Sequence, residues 1–347
     1  MKIGIAFDLA PADPALPREG PDDRFEEFDK PETVEAIAEV IRGEGHDVTL
    51  LGDGRDFLAR VLADPPDFVF NIAEGEGVGR CREARVPAVL EMLGIPYSGS
   101  DPLTLSVCLN KSMAKRLVQG PSFLAVPRGW SFEPNDHVSA EGLFAYLFDR
   151  SSEFHRRDPS RWPFALILKP EFEGSSKGIR GKGIVEDLEA ATETFRLLAR
   201  DYDQPILVEE FIDGEEWTVG FSGTDCLIGT MRIMPIQREE KFVYSLDVKR
   251  DWRNRVTYEA PPLAPESTIE AVISAAVWVY RTLGCRDHAR IDFRVRDGHP
   301  YFIEANPLPG LAPVTSDLVI LAEGHELGYP DLIRKIFQSS LARVKLL

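Results

Sequence analysis

Three short apolar runs, each followed by a helical pattern, constrain the first hundred residues of this chain more than any other feature. MKIGIAF opens as a strand. ETVEAIAEVIRGEGHDVTLL places Val34, Ile37, Ala38 and Ile41 at helical spacing, then a Gly-x-Gly stop and a second strand. DFVFNIAEGEGVGR is a third strand entering a glycine-rich turn, and VPAVLEMLGIPYSGS reads as helix, glycine stop and short strand. Strand–helix alternation of this kind predicts a small parallel sheet covered by helices over about residues 1–110. Such sheets place ligands at the carboxyl ends of their strands, where Glu74, Gly75 and Gly77 fall. Residues 11–31, rich in proline and aspartate, read as a mobile loop over that edge.

From about residue 111 the pattern changes. NKSMAKRLVQG reads as a helix and WPFALILKPEF as a strand; KGIRGKGIV is a glycine-rich turn returning as a strand. EDLEAATETFRLLARD is an amphipathic helix with Leu188, Phe195 and Leu198 on one side. The strands PILVEEFI, EWTVGFSG and CLIGTMRIMPI are separated by Asp-Gly and Gly-Thr-Asp turns, which favours antiparallel pairing. A helix near 267–283 precedes the hairpin RIDFRVRDGHPYFIEANP, and YPDLIRKIFQSSLARV forms the last helix.

At 347 residues the chain exceeds what one core usually serves, so two or three domains are expected. The net charge of -17 argues against nucleic acid as the main ligand, because binding a phosphate backbone needs a positive face. No apolar run reaches the roughly 18–20 residues that cross a bilayer, and the first residues lack the apolar centre of a signal peptide, so a cytoplasmic protein without a membrane partner is expected. Cys81, Cys108, Cys226 and Cys285 show no C-x-x-C spacing and read as reduced thiols.

In the hairpin, Ile291, Phe293 and Val295 alternate with Arg290, Asp292 and Arg294, giving an apolar face and a charged one. A three-residue loop, Asp297-Gly298-His299, sets Asp292 opposite Glu304 and Arg290 opposite Asn306. A two-residue Asp297-Gly298 turn shifts the register and points the carboxylates to opposite faces. In the first register Asp292, Glu304 and Asn306 offer a hard oxygen site suited to magnesium or manganese rather than zinc, to be completed by a nucleotide phosphate. A solvated face of arginine–acid pairs is the plainer alternative, although Pro307-Leu308-Pro309-Gly310 is a rigid turn that a surface hairpin does not need.

ILKPEFEGSSKGI, residues 167–179, looks built for phosphate yet is not the G-x-x-x-x-G-K-[ST] loop: Gly181-Lys182 is followed by Gly183, and Ser176 stands where the first glycine belongs. Its lysine, Lys169, precedes the glycines on a strand, and the turn follows as a flap.

Taken together these stretches resemble the D-alanine–D-alanine ligases of the ATP-grasp superfamily, over nearly all of the chain after about residue 66. The pieces are FVFNIAEG, LEMLGIPYSGSDPLTLSVCLNKSMAK, ILKPEFEGSSKGI, ILVEEFIDGEEWTVGFSG, RIDFRVRDGHPYFIEANPLPG and GYPDLIRKIF, in order. The resemblance implies an α/β fold of the α+β ATP-grasp type: a parallel α/β domain over 1–110, then two α+β subdomains, 111–213 and 214–347, clasping ATP. It implies an ATP-dependent ligase that joins a carboxylate to an amine through an acyl phosphate, with Mg2+ or Mn2+, acting on amino acids or peptides, commonly as a homodimer.

Residue by residue, the resemblance implies that Lys111 and Lys169 contact nucleotide phosphates, with Glu173, Gly174 and Ser176 in the turn closing over them. Glu209, Glu210, Phe211 and Ile212 match the adenine and ribose edge, with Glu216 near the ribose hydroxyls. Asp292, Glu304 and Asn306 match the metal ligands. Arg290 matches the group that stabilises the oxyanion, Ser175 a substrate-contacting serine, and Lys249, in the mobile loop 238–256 with Tyr244, a lysine that reaches the γ-phosphate. Gly310 with Thr315 or Ser316 matches the region for the second substrate's carboxylate.

Departures fall on the acyl-donor side. The family's Gly-Gly-x-Ser-x-Glu turn is replaced by FDLAPADPALPREG, so the first substrate's amino group lacks its usual partner, and Asp22, Asp23, Glu26 and Glu27 are candidates by charge alone. Glu74 replaces a histidine, and Arg250 stands where many members place a tyrosine. Substrates other than D-alanine are therefore open. Two other functions stay open as well: a nucleotide-binding regulator without catalysis, and an ATP-grasp kinase acting on a stable acceptor.

Overall fold

The computed structural model describes residues 1–11, 20–134, 165–179, 183–223, 227–237 and 239–347, and among these twelve strands form three sheets. In the first, β1 (Lys2–Ala6), β2 (Asp47–Gly52) and β3 (Phe68–Asn71) run parallel in the order β2-β1-β3. Both faces of β1 and β3 are covered, so successive residues are buried rather than every second one, and only Lys2 and Asn71 at their ends are polar. Helices Pro31–Gly43 and Tyr329–Arg343 share one face, where Ile3, Ile5, Phe68 and Phe70 pack with Ile37, Ile41, Ile333 and Phe337. The last helix of the chain thus completes the core of the first sheet. Helices Gly54–Ala63 and Arg85–Leu93 cover the other face through Phe57, Val61 and Leu90. Gly94, at φ 68°, supplies the left-handed stop read from the sequence; the short strand expected after it amounts to one bridge between Val69 and Tyr97.

The second sheet is antiparallel, with β4 (Gly129–Phe132), β5 (Leu166–Pro170), β6 (Ile184–Val185) and β7 (Ile206–Glu210) in the order β4-β7-β5-β6. Helix Leu188–Tyr202 supports it through Phe195, Leu198 and Tyr202. The third sheet, also antiparallel, contains β8 (Glu215–Ser222), β9 (Leu227–Pro235), β10 (Val256–Glu259), β11 (His288–Arg296) and β12 (His299–Asn306) in the order β10-β9-β8-β11-β12. Helices Lys111–Val118 and Glu266–Leu283 bury its apolar face around Trp217, Phe293 and Phe302. Among the described residues no helix is long and apolar enough to cross a membrane.

Three sequence expectations change. Antiparallel pairing across each turn holds for β8 and β9 but not for β7 and β8, which lie in different sheets. Both edges of β7 are filled by β4 and β5, so Asp213-Gly214 is a crossing between sheets. That crossing passes so close to the hairpin that a Cβ on Gly214 would stand 2.4 Å from the Val295 carbonyl oxygen. Residues 12–19 lie outside the described residues, but the rest of the expected mobile loop is pinned. Glu27 is ion-paired to Arg82 at 3.0 Å and to Lys177 at 3.2 Å, and Asp23 accepts from Tyr202 Oη at 2.6 Å. The described part of the 238–256 loop holds two short helices, Leu246–Arg250 and Trp252–Arg255. Of the glycine-rich turn, residues 180–182 lie outside the described residues, as do Cys226 and Arg238.

Candidate active site

The hairpin reaches the expected pairing by an unexpected route. Asp297 and Gly298, at φ 53° and 77°, form a two-residue turn, with Arg296 opposite His299. That turn alone would send the carboxylates to opposite faces. A bulge between Asp292 and Phe293, which leaves Ile303 without a partner, restores the register: Asp292 pairs with Glu304 and Arg290 with Asn306. Four functional side chains are thereby gathered on one face of two strands. The premise of a three-residue loop is corrected, while the juxtaposition derived from it stands.

Arg290 holds Asp292 through two nitrogens, with Nη2 2.9 Å from Oδ2, and reaches Asp317 at 3.3 Å. Thr218 Oγ1 donates to Asp292 at 2.6 Å and Asn306 Nδ2 donates to it at 3.0 Å. Lys111 donates to the Glu173 carbonyl and lies 3.5 Å from Glu304. Burial alone would raise the Glu304 pKa, but Lys111, Lys169, Lys249 and Arg290 outweigh it and bring the group down to about 2. Glu304 is therefore ionised at neutral pH.

Across the cleft, Lys169 from β5 and Lys115 meet the buried carboxylate of Glu209 at 2.8 and 3.1 Å. Burial opposes charge on all three. Glu209 has two cations and its pKa is lowered; Lys169 has Glu209 and Glu304 and its pKa is raised. Lys115 also feels Lys169, so burial dominates and drops it to about 8. Arg294 grips Glu216 at 2.6 Å and the Gly214 carbonyl at 2.6 Å, with its guanidinium over the Phe211 ring.

The residues singled out from sequence fall on three adjoining cavities. The first, about 900 Å³ including space open to solvent, lies between the second and third sheets. Lys111, Lys169, Glu173, Ser176, Glu209, Glu210, Phe211, Ile212, Glu216, Lys249, Arg290, Asp292 and Glu304 line it. The second, about 520 Å³, is walled by Glu74, Gly174, Ser175, Asn306 and Gly310 together with Glu27, Glu83 and Glu304. The third, about 1300 Å³ and open, is lined by Arg250, Thr315, Ser316, Lys249 and Ser175.

Several side chains are committed differently from what their family positions imply. The Glu173 carboxylate is held by Arg82, Lys177 and Gln204, and the Gly174 N–H donates to Glu27 at 2.6 Å rather than facing the phosphate space. Ser175 and Ser176 are both left-handed, at φ 48° and 59°, an arrangement that non-glycine residues rarely adopt, and Ser176 Oγ donates to the Tyr244 carbonyl. Arg250 is paired with Glu26 at 2.6 Å. Ser316 Oγ accepts the Ala312 N–H, whereas Thr315 is exposed.

Sequence reasoning missed Lys115, Thr218, Arg294 and Asp317, and also the Arg82–Glu27–Lys177 cluster. Lys115 and Arg294 were findable, being one helical turn from Lys111 and on the charged side of the hairpin beside Asp292. Nothing local marks Thr218 or Arg82.

The described residues contain no group of three His, Cys, Asp or Glu that could hold a metal ion. The donors on the hairpin nevertheless fit a hard divalent cation: one carboxylate is held ionised, a second lies directly across the strand pair, and an amide oxygen sits beside them. They are too few to complete its coordination, so further oxygens would have to come from water or a bound ligand.

A family model described as the D-ala D-ala ligase C-terminus matches residues 146–338. The chain belongs to the D-alanine–D-alanine ligase family. It is 28% identical over 316 residues to a D-alanine–D-alanine ligase of Geobacter sulfurreducens, covering 89% of each chain. It is 30% identical over 314 residues to one from Anaeromyxobacter, covering 89% of this chain and 91% of that one. The crystal structure of the Bacillus anthracis D-alanine–D-alanine ligase complexed with ATP superimposes with a TM-score of 0.71 at 22% identity, over 100% of this chain and 99% of that one. This D-alanine–D-alanine ligase family member has the ATP-grasp fold and is an ATP-dependent ligase that joins a carboxylate to an amine. Its family uses ATP, a divalent metal and small-molecule substrates.

Proposed function

We propose that this ligase binds ATP in the cleft between the second and third sheets and forms an amide between two amino acids, or an amino acid and a peptide, through an acyl phosphate. The observation that carries the reading is the bulge at Ile303, which sets Arg290, Asp292, Glu304 and Asn306 on one face of the hairpin across from Lys169 and Lys111. Divided as 1–110, 111–213 and 214–347, the chain would hold the nucleotide between its second and third parts.

ATP brings about four negative charges into an acidic protein, and the fixed cations of the cleft offset them. Lys111, Lys169 and Lys249 line that space and would position the phosphates. Phe211 and Ile212 border its far end, where backbone groups would meet the base, with Glu216 toward the ribose. Asp292, Glu304 and Asn306 would hold Mg2+ or Mn2+, which when bound spreads charge during phosphoryl transfer. Arg290, between the first and second cavities, would stabilise the oxyanion formed when a neutral amine attacks the acyl carbon. Ser175 lines the second and third cavities, where it would meet the acyl donor, and Gly310 with Thr315 or Ser316 would face the second substrate's carboxylate.

The relatives' names make D-alanine the first candidate for both substrates, while Glu74 and Arg250 leave room for a different acyl donor. The same reading makes the protein a cytoplasmic homodimer acting on small molecules. Incubation with ATP, magnesium and amino-acid mixtures should release ADP only when a carboxylate substrate is present, and hydroxylamine should trap a hydroxamate. ADP release without any trapped acyl group, together with a stable phosphorylated product, would replace the ligase reading with a kinase.

A further inference from the structure

The second cavity has a charge problem that the nucleotide does not solve. Glu83 forms part of its wall with a residue exposure of 7%, and among the described residues it makes no hydrogen bond and no ion pair. Glu74, which lines both this cavity and the open one above it, is likewise without such a partner. Glu83 is buried and Glu74 partly buried, and a carboxylate removed from water without a cation or donors is costly, so their place in one cavity wall is informative.

Among the described residues, the four cations that line this cavity or lie beside it are engaged by other groups. Arg82, adjacent to Glu83 in sequence, directs its guanidinium to the Phe172 carbonyl at 2.6 Å, to Glu27 at 3.0 Å and to Glu173 at 3.3 Å. Lys177 is shared by the same Glu27 and Glu173. Lys111 is committed to the Glu173 carbonyl and Glu304, and Arg290 to Asp292 and Asp317. Glu27, another acid of the wall, is thus satisfied by a lysine and an arginine, whereas Glu74 and Glu83 are not. Helix Arg85–Leu93 begins just after Glu83, and an acid near a helix start is favourable, but its cap position receives no side-chain hydrogen bond and the dipole does not call for burial in a cavity wall.

We propose that Glu83 and Glu74 receive a cationic group of a substrate, an ammonium or guanidinium, so that the enzyme selects an amino acid or peptide carrying positive charge at this end. The inference rests on the ligase reading for the identity of the site's occupant as a substrate. The cavity is continuous with the reacting region, since Arg290 and Glu304 close its inner end. A basic ligand could therefore set its carboxylate toward Arg290 and its side-chain cation, the group that norleucine lacks, toward Glu83. With no cation present, burial pushes Glu83 up to about 8 and Glu74 well above the usual carboxylate range, each aggravated by neighbouring acids, with Arg82 opposing. A metal is the weaker occupant, because no group of three potential ligands is found among the described residues.

The test uses the full chain with Mg2+ and a non-hydrolysable ATP analogue, and titrates lysine and arginine, each as both enantiomers, against norleucine by calorimetry. The proposal expects a lysine or arginine enantiomer to bind at least about tenfold more tightly than norleucine, a difference of about 1.4 kcal/mol. Glu83→Gln should bring that preference to within about twofold while leaving affinity for the ATP analogue unchanged, and Glu83→Asp should retain part of it. Equal binding of norleucine, no binding of any cationic probe, or an undiminished preference in Glu83→Gln would overturn the proposal. Because the readout is binding rather than turnover, a cation preference without any ADP-forming carboxylate would reject the ligase reading and leave the cation site standing.

Discussion

The two sides of the cleft, one proposed for the nucleotide and the other for the acyl donor, differ in how their buried acids are balanced. On the nucleotide side Glu209 and Glu304 each lie beside lysines, and burial is outweighed by attraction, so both are held ionised. On the acyl-donor side Glu74 and Glu83 make no ion pair among the described residues, and burial outweighs the attraction of Arg82. On the proposed reading the first side would take phosphate and metal, and the second a positively charged group of a substrate.

The largest effect should come from breaking the first side. Glu304→Gln removes a charge that Lys111, Lys169, Lys249 and Arg290 all sense, and ATP-dependent turnover should fall by about 10³-fold. Unchanged turnover would remove Glu304 from the site. Arg82→Met attacks the boundary between the two sides, since it leaves Glu27 and Glu173 to share Lys177 alone. Breaking a buried pair of this kind costs about 3–5 kcal/mol, to be read as a lower urea midpoint with chemistry retained at low temperature.

A third test separates the sides by pH. Burial raises Asp8 and Asp29 to about 7 and Glu83 to about 8, so the empty folded protein binds more protons than the unfolded chain from about pH 4 to 8. Stability should fall as pH rises through that window. Buried His288, lowered to about 4, opposes one of these groups below its ordinary value near 6.5, and Glu27 and Glu304, lowered to about 2, lose their contribution only as pH falls from the ordinary carboxylate range toward that value. Melting temperatures should therefore decline between pH 6.5 and 8, and Glu83→Gln should flatten that decline; a rise in wild type would contradict the assignment. The smallest effect belongs to Arg250→Tyr. Its pair with Glu26 is exposed and worth up to about 1 kcal/mol, so substrate KM should move by about fivefold or less while ATP affinity stays constant. A change in ATP affinity alone would place Arg250 with the nucleotide.

The same division governs what could be read from sequence. The parallel sheet, its helices and the lysines of LNKSMAK and ILKP were legible because periodicity and short motifs carry them. The hairpin was legible in content but not in construction: nothing in RVRDGHPYFIE distinguishes a three-residue loop from a two-residue turn corrected by a bulge at Ile303, since both bring Asp292 to Glu304. The crossing at Asp213-Gly214 read as a hairpin turn because local turn chemistry cannot report that β7 already has two neighbours. Glu27, Arg82 and Lys177 meet across up to 150 positions, and such pairings leave no local trace. The missing ion pair at Glu83 likewise leaves no local trace, because Arg82, Lys177, Lys111 and Arg290 are engaged by acids distant in sequence or on other elements.

The most direct measurement is ADP release from ATP and magnesium across a panel of cationic, neutral and anionic amino acids and short peptides, in wild type and in Glu83→Gln. The account predicts carboxylate-dependent ADP release in both proteins, with the wild type ranking cationic substrates first and the variant losing that ranking. No carboxylate-dependent release from the wild type with any member of the panel would contradict it.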